Sequence, residues 1–296
     1  MTQLSSLTIA ELLLVLCCGF VVGGMAGTLG IGGSFLLVPL LTAFLRVPVL
    51  TAVGSTACQL LGPATTALLA RKVTRDQFRL PLIITGGIIV GILIGTELLE
   101  AAKAHGDVQW QGRTIQAVDL LVMGVYLIVL LGIGTFALYE VHREKQGRKI
   151  PRGVLARLRV PPIDTFEELS TGSLSIPVLS MFGLISGLTA GLMGISGALI
   201  LIPGMVYLLG IRSRQAILAS LVIVWITSFL ATIAHAWRGN VDLALAVALM
   251  SGGTIGARLG SELGQRLKGP ALRRCIGWLA LGAAVVVLVR LWRLVA

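Results

Sequence analysis

Two glycine-rich turns hold the residue types best suited to binding chemistry. The first runs Gly27-Thr28-Leu29-Gly30-Ile31-Gly32-Gly33-Ser34 and closes at Pro39; the second runs Gly191-Leu192-Met193-Gly194-Ile195-Ser196-Gly197-Ala198 and closes at Pro203. Each interrupts an apolar run and leads into a short apolar helix. A helix that starts inside a hydrophobic phase presents unpaired N–H groups and the positive end of its dipole, an arrangement suited to an anion. Gly32, Gly33 and Gly197 permit close approach to the backbone, Gly30 and Gly194 are further candidate binding residues in the turns, and Ser34 and Ser196 add hydroxyls. Neither turn is a phosphate loop, because no Lys-Ser/Thr pair follows, and the third glycine of a dinucleotide fingerprint is missing.

Further polar residues lie on the apolar runs that follow. Ser55-Thr56 corresponds, 164 residues later, to Ala219-Ser220, and Gln59, Thr65, Thr66, Thr227 and Ser228 follow on the same runs. Ser55, Thr56 and Ser220 are candidate ligands for a small oxyanion; the competing role is a hydrogen bond back to their own helix. His235 closes one run beside Trp237, Arg238, Gly239 and Asn240. Its imidazole can relay a proton, or simply anchor the helix at the interface. Arg258 is a second candidate for charge coupling, although Glu262, four residues on, is a natural ion-pair partner, and Glu97 is a third ionisable group at the end of a span. Cys17, Cys18, Cys58 and Cys275 lie in apolar segments without CxxC spacing or clustered histidines. The expectation is no catalytic residue, no metal, no cofactor and no enzymatic activity.

The elements that must position these residues are membrane helices. The chain has 296 residues, 56% hydrophobic and 12% charged, with a mean hydropathy of +0.94. Runs of about 20 apolar residues cross a bilayer. Ten apolar segments are present, at 7–27, 33–45, 49–70, 79–99, 117–139, 175–191, 197–210, 214–236, 242–263 and 272–294. The second of each half is short and reaches only about 20 Å of a core about 30 Å thick. Glycines spaced by four recur in both halves: Gly19, Gly23 and Gly27 against Gly183, Gly187 and Gly191, and Gly87, Gly91 and Gly95 against Gly252, Gly256 and Gly260. Such rows let helix backbones pack closely. The predicted fold is an all-α polytopic membrane protein built as two inverted five-segment repeats, each with a glycine-broken short helix near the midplane. The repeats are 1–139 and 175–296, joined by a basic linker at 140–174 with room for a surface helix. Residues 1–26 match 165–190 and lack a positive n-region, so they read as part of the repeat.

The net charge of +11 does not indicate nucleic acid, because the basic residues form no face with interleaved aromatics. They concentrate in loops on one side, including 71–79 and the linker, which marks that side as cytoplasmic and places both termini outside.

Gly30-Ile31-Gly32-Gly33…Pro39, Ala52-Val53-Gly54-Ser55-Thr56, Gly194-Ile195-Ser196-Gly197…Pro203, His235…Gly239-Asn240-Val241-Asp242 and Gly256-Ala257-Arg258-Leu259-Gly260 together resemble the sulfite exporter TauE/SafE family of membrane transporters. The resemblance covers both halves and implies transport of a small sulfur-containing anion (sulfite, sulfonate or sulfoacetate) across a bacterial inner membrane. This chain departs from an all-glycine second turn at Ser196, and has Ala219-Ser220 where the first half has Ser55-Thr56. No ATP-binding motif is visible, so a gradient would drive export or exchange. The rival readings are a membrane-embedded sulfur relay using Cys17, Cys18 and Cys58, a passive anion channel, and a non-transporting scaffold. Glycine faces also allow a homodimer.

Overall fold

The computed structural model describes residues 9–29, 34–71, 78–110, 113–147, 150–166, 173–195, 198–264 and 269–295. They form an all-α, multi-pass membrane protein. In chain order the helices are α1 (Ile9–Leu29), α2 (Leu37–Phe44, after a 3-10 turn at Ser34–Leu36), α3 (Val49–Gln59), α4 (Leu61–Arg71), α5 (Arg79–Ala104), α6 (Ala117–Lys145), α7 (Ile176–Met193), α8 (Ala198–Pro203), α9 (Ser213–Trp237), α10 (Leu243–Gly264) and α11 (Gly269–Val295). Seven of them are long and apolar enough to cross a bilayer: α1, α5, α6, α7, α9, α10 and α11.

The ten expected segments therefore reduce to seven spans and three shorter pieces. Two of those pieces are the short helices after the glycine turns. The eight residues of α2 rise only about 12 Å. The six of α8 pass at Pro203 into a π-turn, Gly204–Leu208, closed by a 3.1 Å bond from the Leu209 N–H to the Gly204 carbonyl. The third is a correction. Segment 49–70 is not one helix but two of 11 residues, α3 and α4, separated at Leu60. The cause lies at Pro63, which has no N–H for the carbonyl of Gln59 and whose ring crowds that carbonyl.

Glycine rows organise the packing. The most extensive helix pairings are α1 with α10 and α5 with α7. A Cβ on Gly23 would stand 2.2 Å from the Gly253 carbonyl oxygen, and one on Gly256 2.0 Å from that of Phe20. The other pair repeats this: a Cβ on Gly187 would meet the Ile88 carbonyl at 2.3 Å, and one on Gly91 that of Leu184 at 2.2 Å. No side chain fits at these crossings. Contacts climb together along each pair (Gly19 to Leu249, Gly23 to Gly253, Gly27 to Ala257; Gly183 to Ile84, Gly187 to Ile88, Gly191 to Ile92), so both pairs are parallel. α6 and α11 run antiparallel, with Gly134 facing Gly277 and ion pairs Asp119–Arg290 at 3.8 Å and Glu140–Arg273 at 2.6 Å.

The linker is more structured than a solvated tether. Helix α6 runs on to Lys145, and the following described residues form a 3-10 turn at Leu155–Arg157 and an antiparallel strand pair, Ile163–Thr165 with Ser173–Ser175. Among the described residues of the linker there is no surface α-helix. Phe166 is buried, Asp164 binds Arg79 at the start of α5 at 2.7 Å, and the Gly153 N–H donates to the Tyr207 carbonyl at 2.8 Å.

Candidate functional site

The second glycine turn is held by three helices. Gly194 ends α7 with φ +63°, the left-handed region, and a Cβ there would lie 2.2 Å from the Val53 carbonyl oxygen. Both facts require glycine. The Tyr126 hydroxyl, on α6, donates to the Met193 carbonyl at 2.7 Å, and the Thr56 hydroxyl, on α3, reaches the Gly194 carbonyl at 3.4 Å. The carbonyls that a helix end leaves orphaned are thus satisfied by side chains from elsewhere in the fold. Nothing in the turn motif points to Tyr126. The available signal is a tyrosine in mid-span, whose buried hydroxyl has to find a partner.

Of the other candidates, Gly30, Gly32, Gly33, Ser196 and Gly197 lie outside the described residues, and Ser34 is placed only by its backbone, at the start of the 3-10 turn before α2. Ser55, Thr56 and Ser220 are buried and already hydrogen-bonded. Ser55 accepts the Asp242 N–H at 3.0 Å and faces the Asp242 carbonyl at 3.4 Å; Thr56 donates to Ala52 at 2.7 Å; Ser220 donates to Ile217 at 2.8 Å. A hydroxyl has one hydrogen to give. In this conformation these three spend theirs on backbone carbonyls.

Other buried polar atoms lack partners. They include Gln59 Oε1 on α3 and, on α9, Thr227 Oγ1, Ser228 Oγ and both ring nitrogens of His235. Native interiors satisfy nearly all such groups, so each exception needs an explanation. Ser220, Thr227, Ser228 and His235 fall at i, i+7, i+8 and i+15, on one face of α9. That helix runs antiparallel to α3 and α4. Gly54 packs against His235, Cys58 lies beside Thr232, and the Trp225 indole donates to Thr65 at 2.9 Å. The break at Leu60 and the pair Thr227-Ser228 both lie between the last two of these contacts.

His235 ties this face to the glycine turn. Its ring is 0% exposed and faces the backbone of Gly191, three residues before Gly194, although no partner reaches hydrogen-bonding geometry. Around it, Arg238 pairs with Glu97 and donates to the Ala234 carbonyl at 3.1 Å, while Asn240 binds Glu100 at 3.1 Å. These contacts clasp the end of α5 to the turn between α9 and α10. Arg258, by contrast, is exposed on α10, and the described residues contain no ion pair between it and Glu262. A separate cleft of about 300 Å³ between α5 and α9 has a largely apolar wall, Ile89, Ile92, Leu93, Leu230 and Ile233, with Trp237 and the Glu97-paired Arg238 at one end. Cys17, Cys18, Cys58 and Cys275 are unbridged and spread over α1, α3 and α11, and the described residues contain no cluster able to hold a metal.

Comparison with known proteins converges on one family. The profile of the family described as "Sulfite exporter TauE/SafE" matches residues 15–287. A "Probable membrane transporter protein YunE" of Bacillus subtilis (strain 168) is 21% identical over 258 residues, covering 84% of this chain and 87% of the relative. A "Probable membrane transporter protein" of Xylella fastidiosa (strain Temecula1 / ATCC 700964) is 36% identical over 94 residues, 31% of this chain and 36% of that protein. Its counterpart in strain 9a5c matches over the same lengths and identity. No solved structure matches the chain.

Proposed function

Because the chain belongs to the sulfite exporter TauE/SafE family and is a multi-pass membrane transporter, we propose that it is a gradient-driven carrier of a small sulfur-containing anion of the sulfite, sulfonate or sulfoacetate class. The membrane is a bacterial inner membrane, with the linker cytoplasmic and both termini periplasmic. The anion sits between the halves, against the two glycine turns (Gly30, Gly32, Gly33 and Ser34; Gly194, Ser196 and Gly197). The side chains of Ser55 and Thr56 rim the site at the second turn, and Ser220 lies about 22 Å along α9 from His235, at the other end of its polar face. Of the two coupling candidates, His235 adjoins it, while the exposure of Arg258 fits a role at the surface.

The observation that carries this reading is the row of unpartnered buried groups on α9, Thr227, Ser228 and His235, whose His235 end faces the second turn. Three buried polar groups without partners are costly in an empty site and useful in one that receives a polar ligand. The halves rock as inverted repeats around this centre. Helix directions support that relation. α1 is parallel to α10 and α7 to α5; α9 is parallel to α5, with Ile89 near Leu230 and Glu97 near Arg238, and antiparallel to α3.

The test is thermal stabilisation of the purified protein by sulfite, thiosulfate, taurine, sulfoacetate, sulfate, phosphate and short carboxylates. A ligand selective for the folded state raises Tm by mass action. The expected result is stabilisation by a sulfur anion that is lost, together with transport, when Gly33 or Gly197 is replaced by phenylalanine, with membrane insertion intact. Wild-type uptake by such a variant would falsify the cradle.

A further inference from the structure

We infer that His235 is the counter-charge of the bound anion, so that the site takes up a monoanion together with one proton carried on the imidazole, in the space bounded by Gly54, Gly191 and the polar face of α9. The inference rests on the anion-carrier reading above and adds the charge class of the ligand and the coupling ion.

An anion removed from water into a low-dielectric interior is costly unless an opposite charge meets it. Among the described residues no lysine or arginine is buried. The buried polar and charged side chains are serines, threonines, Gln59, Asn240, Glu140, Asp242 and His235, and of these only His235 can become cationic. The nearby fixed cations are committed or remote. Arg238, three residues on, is held by Glu97 and the Ala234 carbonyl; Lys103 lies 3.7 Å from Glu100; Arg258 is exposed. The carboxylates that face the ring's surroundings are also engaged. From α5, Glu97 binds Arg238 and Glu100 binds Asn240; at the start of α10, Asp242 accepts the Leu245 N–H at 2.9 Å. From α3 and α7 the groups meeting His235 are the glycines Gly54 and Gly191, which bring no charge.

Among the described residues the ring is thus the one adjustable charge beside the second turn, and both of its nitrogens are unspent. A neutral imidazole offers one donor and one acceptor, whereas the protonated ring offers two donors and a positive charge. Charge-assisted bonds to an oxyanion are the strong kind. Binding of anion and proton is reciprocal, each raising the affinity for the other by the same factor. A monoanion plus a proton is electroneutral. A dianion with one proton would carry a net negative charge through the membrane.

The full-length protein in lipid nanodiscs, labelled with 13C at histidine Cε1, tests this directly, because the chain holds only three histidines. His105→Gln and His142→Gln assign the two other signals; both residues are exposed and outside the site. Sulfite is the probe. The expected result is that sulfite drives the His235 signal toward its protonated position at constant pH and leaves the other two unmoved. In parallel, His235→Gln, checked for an unchanged Tm without sulfite, should bind more weakly. Its affinity profile should differ from that of the wild type by about tenfold per pH unit above the titration of the ring, the slope of one linked proton. Sulfite's own titration is common to both proteins, so the difference isolates the ring. Binding with an unmoved His235 signal, or an unchanged pH profile in His235→Gln, overturns this inference and leaves the anion carrier standing. Absence of binding to the wild type at any pH by sulfite, and by taurine and sulfoacetate used as further probes, overturns both.

Discussion

The third segment of each half invites comparison, because the same place in the repeat is built in two ways. In the first half it is broken into α3 and α4; in the second it is the single 25-residue helix α9. Pro63 and Thr227 stand at matching positions, 164 residues apart. One half thus has no N–H at residue 63 to meet the Gln59 carbonyl, while the other leaves a buried hydroxyl without a partner. The two devices both expose polar groups inside the protein, on helices that pack antiparallel against each other. The proposed centre between the halves does not need identical chemistry on its two sides.

The most damaging change expected is at the turn itself. Gly194→Leu places a side chain in the left-handed region, at about 1–2 kcal/mol. It also overlaps the Val53 carbonyl, and overpacking of this kind adds about 1–3 kcal/mol. Fluorescence-detected gel filtration should show loss of the monodisperse folded peak. Next, exchanging the devices tests whether the break is a property of residue 63 alone. Thr227→Pro should break α9 and cost about 3 kcal/mol. Pro63→Ala should raise Tm and reduce uptake, and an uptake equal to wild type would show that the break has no role. A smaller effect of unusual sign is expected for Thr227→Val. Removing an unpartnered buried hydroxyl should stabilise the empty protein by about 1–3 kcal/mol and weaken anion binding, so Tm rises without ligand and the ligand-induced shift shrinks. Smallest is Glu97→Gln. The Glu97 side chain is 71% exposed, so breaking its pair with Arg238 should change stability by less than about 1 kcal/mol, visible if at all as altered salt dependence of Tm.

How far the site was legible in the sequence differs from residue to residue. The four-residue glycine spacing anticipated close helix crossings, because a helix face is a local property and every member of the row is visible in one short stretch; that α1 meets α10 and α5 meets α7, each in parallel, was not legible there. The position of the break in segment 49–70 was also available, in Pro63, but its apolar continuity masked it. Ser55 and Thr56 stood out as hydroxyls on a helix, yet nothing nearby in sequence indicated that Ser55 would be taken up by Asp242, 187 residues away. The same holds for Tyr126 and Met193, 67 residues apart.

By itself the sequence determined a polytopic membrane protein with glycine-lined crossings and a glycine-turn motif that recurs 164 residues on. Those outcomes follow from hydropathy, periodicity and backbone freedom, which neighbouring residues settle among themselves. Tertiary structure alone decided which polar groups are spent and which are free: Thr56 and Ser220 turned back on their own helices, Thr227 and Ser228 left without partners, and His235 sealed beneath the clasp of Glu97 with Arg238. A hydrogen bond needs two atoms at a defined distance, and for Ser55, Tyr126 and Arg238 the second atom comes from the far side of the chain.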